Sequence, residues 1–181
     1  MLAKDLLRDL RDGPVYRYSL RRAFPHAYIQ STVKFRGDVD RITLGDRVTI
    51  AGPSVVIVSD GGGLTGARLD VGEDTYIGEF NNIRCAGAPI TIGRKCLISQ
   101  HITIVGTNHG IEAGTPIVEQ PWSGDGVRIG DDVWIGAGSV ILPGARLGDG
   151  CVVAANSVVR GEVPEGAIVA GSIAKVIGQR S

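Results

Sequence analysis

The amino-acid sequence predicts an all-β protein, a parallel β-helix in which a short strand and a corner repeat every six residues. Two observations in the residue order predict this fold class. Aliphatic residues recur every six positions, and a second, usually small residue follows four positions after many of them. The composition is a third observation, because 27 glycines and an aromatic content of 5% suit many tight corners around a core of small aliphatic side chains.

The aliphatic period runs through most of the chain. A period of six fits neither the 3.6 residues of a helical turn nor simple alternation, whereas it fits a short strand followed by a corner. Three such units make one triangular coil, so we expect the aliphatic side chains to point inward and to stack on those of neighbouring coils. The residues concerned are Leu44, Ile50, Val56, Val71, Ile77, Ile83, Ile92, Ile98, Ile104, Ile129, Ile135, Ile141, Leu147, Val153 and Val159.

Charge and cysteine usage narrow the function classes. The 19 basic and 19 acidic side chains give a formal net charge of zero, so no strong field favours nucleic acid or an anionic membrane. No run of about 18 apolar residues occurs, so we expect no membrane insertion. Cys85, Cys96 and Cys151 lie far apart, without the spacing of a disulfide framework or a zinc knuckle, which favours a reducing cytoplasm. We therefore expect a small-molecule substrate.

Interruptions of the period divide the chain into parts. We expect an N-terminal cap at residues 1–41, the β-helix at residues 42–177 and a short tail at residues 178–181. A solenoid accommodates extra residues only where a loop can leave the coil, so insertions are expected at about residues 58–68 and 108–126.

The cap and the first insertion carry local signals. Residues 3–10 are typical of a short helix, and residues 17–25 are basic with interleaved aromatic rings. The cap either covers the first coil or forms a surface on the acceptor side. In the first insertion, Gly61–Gly63 favour a turn or hairpin that projects from the coil.

One segment of the chain resembles a known family. Residues 130–144, GDDVWIGAGSVILPG, resemble the signature of the hexapeptide-repeat acyltransferases, in particular the maltose, galactoside and nodulation-type acetyltransferases and their polysaccharide-biosynthesis relatives. The resemblance extends over about residues 42–177. It implies a left-handed β-helix, an exception to the usual right-handed connection of parallel strands. It also implies a homotrimer with active sites between subunits, and transfer of an acyl group, expected to be acetyl, from coenzyme A to a hydroxyl or amino group of a sugar-like acceptor.

His109 is the predicted general base. It lies at the mouth of the second insertion, five residues after Ile104 and so at an outward corner position, where the similar enzymes keep their base. A neutral imidazole can accept a proton near neutral pH without unusual tuning. Its orienting partner is expected to be Glu112, Glu119 or a backbone carbonyl. Direct transfer is favoured over an acyl-enzyme, because no activated nucleophile is recognisable.

The resemblance also assigns residues to the coenzyme. Trp134, an outward aromatic residue, is expected beside the coenzyme, and the backbone N–H groups of Ala137 and Ala155 are expected near the thioester carbonyl and the pantetheine arm. Arg160 and Lys175 are candidates for the coenzyme phosphates. The chain departs from the family here, because Arg160 stands where relatives often have Thr and because Ile173 replaces the proline of their Gly-x-Pro-Ala-Lys motif.

Acceptor contacts are predicted from the coil before that of His109 and from the second insertion. Asn82 faces outward, whereas Asn81 falls on the inward phase, which favours a structural amide. Glu119 and Gln120 are further candidates for acceptor binding.

Two rival functions remain open at this point. A solenoid without catalysis could serve as an assembly platform, since a fold alone does not establish a function. A zinc carbonic anhydrase also uses such a solenoid, with two histidine ligands five residues apart. His101 and His109 are eight apart and His26 lies outside the repeats, so we expect no metal.

Overall fold

The computed structural model describes residues 20–180, which form three sheets around a triangular coil. The helix expected at residues 3–10 lies outside the described residues. Residues 20–23 are helical, and 3₁₀ turns occur at Val39–Arg41 and Ile117–Glu119. Among the described residues, no helix has the length and apolar character needed to cross a membrane.

Each sheet receives one strand from each coil. In the order of their pairing, the first sheet contains β1 (Tyr28–Ile29), β4 (Thr49–Ile50), β7 (Tyr76–Ile77), β10 (Leu97–Ile98), β15 (Trp134–Ile135), β18 (Val152–Val153), β21 (Ala167–Gly171) and β22 (Ala174–Gln179). The second sheet contains β19 (Val158–Val159), β16 (Val140–Ile141), β11 (Thr103–Val105), β8 (Asn82–Ala86), β5 (Val55–Ser59) and β2 (Lys34–Gly37). The third sheet contains β20 (Glu162–Val163), β17 (Arg146–Leu147), β14 (Val127–Ile129), β9 (Pro89–Ile92), β6 (Arg68–Val71) and β3 (Ile42–Leu44). A separate hairpin is formed by β12 (Asn108–His109) and β13 (Trp122–Ser123).

The predicted aliphatic residues are stacked in register along the three sheets. In the first sheet, for example, Ile98 pairs with Ile77 on one side and with Ile135 on the other. The predicted residues are at most 3% exposed, apart from Leu44, which is half-buried. Leu44 lies on the first strand of its sheet, so no further strand of the described chain covers it. The predicted period and its inward phase are therefore confirmed.

Polar side chains at the inward corner positions complete hydrogen bonds between coils. The amide nitrogen of Asn81 donates to the carbonyl oxygens of Gly78 and Ser99, at 3.1 and 2.8 Å, and its Oδ1 accepts from the backbone N–H of Ile102 at 2.6 Å. Asn81 is buried. The structural role predicted for its amide is confirmed, because the bond to Gly78 closes its own corner and the bonds to Ser99 and Ile102 link that corner to the next coil.

The coil begins earlier than the expected boundary at residue 42. Strands β1 and β2 lie within the expected cap at residues 1–41 but pair in parallel with β4 and β5. Ile29 and Phe35 keep the six-residue interval, but the 3₁₀ turn Val39–Arg41 then lengthens the step to Leu44 and hides the period. The large ring of Phe35 also departs from the aliphatic pattern. At the other end, β22 turns back antiparallel against β21 instead of continuing the coil.

A core substitution with a surface control on the same strand tests the stacking. Ile129, which is 2% exposed, pairs with Ile92 and Leu147, so Ile129→Ala should cost about 2–5 kcal/mol of unfolding free energy. Its exposed neighbour Arg128 points away from the core, and Arg128→Ala should cost about 0.5 kcal/mol or less. Urea unfolding measures both values, and equal losses would contradict an inward Ile129.

Candidate active site

His109 lies at the base of a loop that leaves the helix at the end of β11. The backbone N–H of Gly126 donates to the carbonyl oxygen of Gly106 at 3.2 Å, which closes the loop at its stem. Thr107 is buried and its hydroxyl donates to the carbonyl oxygen of Ala86 at 2.9 Å. His109, two residues further on, is therefore attached to a fixed part of the coil. The loop projects outward, and Ile111 is 86% exposed.

The imidazole of His109 rests against an indole ring. His109 and Trp122 are opposite each other in the β12–β13 hairpin, with ring centroids 5.3 Å apart and an interplanar angle of 67°. Within residues 20–180, the imidazole forms no hydrogen bond, so neither Glu112 nor Glu119 orients it in the single chain. The exposed ring therefore keeps both nitrogens available, as a general base requires.

The first insertion packs against the β12–β13 hairpin and supports it. Gly61 and Leu64 exchange backbone hydrogen bonds of 3.1 and 2.9 Å, which confirms the predicted turn. The backbone N–H of Trp122 donates to the carbonyl oxygen of Gly62 at 2.8 Å, and a Cβ atom at Gly62 would overlap the indole ring of Trp122. The absence of a side chain at Gly62 thus allows the turn to pack directly under the ring that contacts His109.

Gln120 braces the loop from inside. Its Oε1 accepts from the backbone N–H of Glu112 at 2.8 Å, and its Nε2 donates to the carbonyl oxygens of Glu112 and Thr115 at 2.9 and 2.7 Å. The side chain is buried, so its polar atoms face the loop backbone and not an acceptor. This differs from the expected acceptor contact. Glu119, in contrast, is exposed on the 3₁₀ turn Ile117–Glu119.

Trp134 projects from the outer face of the first sheet. It pairs in register with Leu97 and Val152, and 48% of the residue is exposed. Its Nε1 donates to the hydroxyl oxygen of Ser99 at 3.3 Å, which fixes the ring across the neighbouring coil. The exposed half of this large ring is available to a ligand or a partner.

The corners between the first and second sheets present unpaired backbone donors. In the corners at residues 78–80, 99–101, 136–138 and 154–156, the first and third residues donate to neighbouring coils, as Gly136 does to Val153 and Gly138 to Gln100. The middle residue is left over: the N–H groups of Ala137 and Ala155 have no acceptor among residues 20–180. The two residues stand in adjacent coils, because the backbone N–H of Asn156 donates to the carbonyl oxygen of Ala137 at 2.8 Å.

Two cations lie further along the helix. A bridge between Val158 and Ser172 brings together the segments that carry Arg160 and Lys175. Both side chains are exposed, and neither forms an ion pair with a carboxylate in the described part of the chain. They are therefore available to bind phosphate groups.

The three thiols are unsuited to nucleophilic catalysis. Cys85, Cys96 and Cys151 are buried. Burial raises the pKa of Cys85 and of Cys151 to about 12 and also raises the pKa of Cys96. A thiol is nucleophilic as its thiolate, and these side chains remain protonated near neutral pH.

The remaining histidines occupy separate positions. His101 lies at a corner and stacks on Phe80, with ring centroids 4.8 Å apart and planes within 3° of parallel. His26 is exposed, before the first strand of the coil. Among residues 20–180, no group of three His, Cys, Asp or Glu side chains is arranged to hold a metal ion.

Comparison with known proteins agrees with this architecture. The family described as bacterial transferase hexapeptide (six repeats) matches residues 126–161. The chain is 32% identical over 142 residues to WbbJ of Escherichia coli strain K12, which is named as a lipopolysaccharide biosynthesis O-acetyl transferase; the match covers 74% of this chain and 65% of WbbJ. A 2,3,4,5-tetrahydropyridine-2,6-dicarboxylate N-acetyltransferase of Staphylococcus aureus strain JH9 is 50% identical over 78 residues, which are 42% of this chain and 33% of that protein.

A solved structure of a galactoside acetyltransferase in complex with coenzyme A is also similar. It has a TM-score of 0.55 and 27% sequence identity, over 62% of this chain and 56% of that one. The chain thus spans between about one third and two thirds of the length of these three relatives. The matches confirm the resemblance to the hexapeptide-repeat acyltransferases and the predicted fold class, a left-handed parallel β-helix.

Two adjacent glycines test the support of His109. Gly62→Ala should displace the Trp122 ring and cost about 1–3 kcal/mol through overpacking. Gly63→Ala is the matched control, because Gly63 also has a positive φ but a Cβ atom there would meet nothing within 4 Å. In ¹H–¹⁵N spectra, the Trp122 indole and His109 amide signals should move in Gly62→Ala and stay in place in Gly63→Ala. Identical spectral changes in both variants would rule out the contact.

Alkylation tests the environment of the thiols. With pKa values raised by burial, the thiols of the folded protein should resist iodoacetamide at pH 8.5, whereas all three should react in urea. Since these pKa values exceed the usual thiol value of about 8.5, the thiols' contribution to stability is complete below that pH and declines as the pH rises above it. Mass spectrometry counts the modified residues, and rapid labelling of the folded chain would refute the assignment.

Proposed function

We propose that the protein transfers an acetyl group from acetyl-coenzyme A to a hydroxyl or amino group of a sugar-like acceptor. The single observation that carries the proposal is the exposed imidazole of His109, held at the base of a projecting hairpin with both ring nitrogens unused by the described residues. The acetyltransferase names of the relatives support the same reaction class. The unpaired thiols are in keeping with a reducing cytoplasm as its location.

The outer face of the helix offers a fitting set of groups for the coenzyme. The exposed ring of Trp134 would pack against it, and the free backbone N–H groups of Ala137 and Ala155 would donate to its carbonyl oxygens. Arg160 and Lys175, which lack carboxylate partners among the described residues, would bind its phosphates. When bound, acetyl-coenzyme A supplies a thioester, and the hydroxyl oxygen or amine nitrogen of the acceptor would attack its carbonyl carbon.

The chain's own part in the reaction is proton transfer and charge stabilisation. His109 would remove the proton from the attacking hydroxyl or amine as the new bond forms, and would then deliver it to the departing thiolate sulfur. The N–H of Ala137 would stabilise the negative charge that develops on the carbonyl oxygen. Because Cys85, Cys96 and Cys151 are buried and protonated, transfer is direct, without an acyl-enzyme.

We further propose that the active unit is a homotrimer with sites between subunits. The outer face of the first sheet supports an interface, because it exposes Tyr28, Tyr76, Leu97 and Trp134 in one row. The third sheet presents mostly charged and polar groups instead, among them Arg68, Arg128 and Arg146.

Asn82 and Glu119 are proposed to contact the acceptor. Gln120 would assist them indirectly, because its side chain holds the loop backbone.

Separate variants test the base and the coenzyme site. His109→Ala should lower kcat by about 10²–10⁴-fold, the usual loss of a general base, while acetyl-coenzyme A affinity stays nearly unchanged. Trp134→Ala should weaken acetyl-coenzyme A binding with less effect on acceptor KM. Thiol release measures turnover and calorimetry measures binding. His26→Ala, which removes an exposed histidine from the cap, is the control and should retain full activity.

The same titration separates catalysis from a structural role. A non-catalytic platform predicts that trimers form normally but bind no acetyl-coenzyme A. Absence of binding by intact trimers would therefore overturn the proposed enzyme, and full activity of His109→Ala would remove the base assignment while leaving the coenzyme site in place.

A further inference from the structure

An open groove of about 650 Å³ runs along the second sheet in the coils that precede His109. Its floor consists of outward residues of three consecutive strands, β2, β5 and β8, and its rim includes the stacked rings of Phe80 and His101. None of the assigned coenzyme residues lines it. The groove is therefore a second recognition surface on the same molecule.

The groove has an excess of positive charge, although the chain as a whole is neutral. Lys34, Arg36 and Arg84 line it, whereas no Asp or Glu is among the described residues that do so. The side chains of Arg36 and Arg84 are exposed and form no ion pair within residues 20–180. Half of the other arginines among residues 20–180 pair with a carboxylate, as Arg47 does with Asp74. These two guanidinium groups are thus unneutralised.

The two arginines lie on the same side of the sheet at matching positions. Ile57 of β5 pairs with Arg36 of β2 on one side and with Arg84 of β8 on the other. Neighbouring strands are about 4.8 Å apart, so the two Cα atoms are separated by about 10 Å. An anion above Ile57 would be within reach of both guanidinium groups, whose planar donors match a carboxylate or a phosphate.

Asn82 contributes a hydrogen-bond acceptor to the groove, whereas the two arginines contribute donors. Its Oδ1 is buried and accepts no hydrogen bond in the described structure. A buried carbonyl oxygen without a donor is costly, and such an atom in a groove marks a place for a donor from a ligand. A sugar hydroxyl supplies that donor. The groove thus combines a hydrogen-bond acceptor for a ligand hydroxyl with two guanidinium groups for a ligand anion. On β8, Asn82 and Arg84 are two residues apart.

The groove leads toward His109. Arg84 pairs in register with Val105 of β11, and the backbone N–H of Gly106 donates to the carbonyl oxygen of Arg84 at 3.0 Å. His109 follows three residues after Gly106, on the hairpin that leaves the helix at this edge. A ligand in the groove therefore lies beside the strand from which the base emerges.

We propose that the groove binds an acidic saccharide as the acetyl acceptor, with its carboxylate or phosphate on Arg36 and Arg84 and a hydroxyl on Asn82. This inference rests on the proposed acetyl transfer and narrows its substrate class. Neutral sugars lack the anion and are correspondingly poor acceptors.

Matched pairs of acceptors test the charge requirement. Methyl glucoside is compared with methyl glucuronide, galactose with galacturonate and glucose with glucose 6-phosphate, with acetyl-coenzyme A as donor and thiol release as the readout. In every pair that is acetylated, the acidic member should have at least about tenfold higher kcat/KM, the effect of one charge-assisted contact of about 1.4 kcal/mol or more. The carboxylate and phosphate arms identify which anion the groove prefers.

Variants assign the effect to the groove. Arg36→Ala and Arg84→Ala should each lower kcat/KM for the acidic acceptor about tenfold or more, and should leave kcat/KM for the neutral member and the KM of acetyl-coenzyme A unchanged. Arg84→Lys keeps the charge but not the planar fork, so it should restore part of the loss. Arg128→Ala removes an exposed arginine of the third sheet that also forms no ion pair within residues 20–180; it is the matched control and should behave as wild type.

Each outcome bears on the inference. Equal use of acidic and neutral acceptors, or an equal loss in Arg128→Ala, would overturn it. If no pair is acetylated, the saccharides are titrated calorimetrically without coenzyme. Binding of methyl glucuronide or glucose 6-phosphate that is lost in Arg84→Ala would support the acidic groove and count against acetyl transfer, whereas no binding of either would overturn the groove itself.

Discussion

Each coil of this protein can bury its apolar edge only against the coil above and the coil below, and this constraint governs the rest of the structure. The stacked aliphatic side chains occupy the narrow interior and are almost fully buried, which leaves no exposed position there for a catalytic group. Any extra residues have to leave at a corner. Chemistry is therefore confined to the outer faces, the corners and the loops.

The hydrogen bonds between stacked coils leave some backbone N–H groups at the corners free to bind a ligand. In the corners at residues 78–80, 99–101, 136–138 and 154–156, two of the three backbone N–H groups bond to adjacent coils and the middle one has no acceptor among residues 20–180. Ala137 and Ala155 hold such positions in consecutive coils. Free donors are thus spaced regularly along one edge of the helix, which suits a long ligand with several carbonyl oxygens.

The two insertions contact each other because they leave the β-helix at the same edge. The first follows β5 and the second follows β11, and only the coil containing β8 and β9 separates them. The corner of that intermediate coil is small: at Gly87, a Cβ atom would lie 2.6 Å from the Cβ of Leu64 in the first insertion. The first turn can therefore fold across it and reach Trp122. The position of His109 depends on the contact between Gly62 and Trp122, which are 60 residues apart in sequence.

The period of six was sufficient to predict the stacked residues, the inward Asn81 and the outward Trp134, because each follows from its phase within a coil. Contacts between loops carry no such period, so the Gly62–Trp122 packing and the brace formed by Gln120 were not predictable. The first coil was not predicted, because Phe35 is aromatic and the 3₁₀ turn Val39–Arg41 shifts the phase of the six-residue period. Arg36 lay within the part assigned to the cap, so its alignment with Arg84 emerged only from the strand register.

The central claim is that stacking leaves one imidazole facing a thioester on the outer surface. A crystal structure of the assembled protein with coenzyme A tests it most directly. We expect the coenzyme sulfur within about 3 Å of a His109 ring nitrogen, or one water molecule away, with the pantetheine arm along Ala137 and Ala155. A coenzyme bound on the charged third sheet, or with its sulfur remote from every His109 in the assembly, would contradict it.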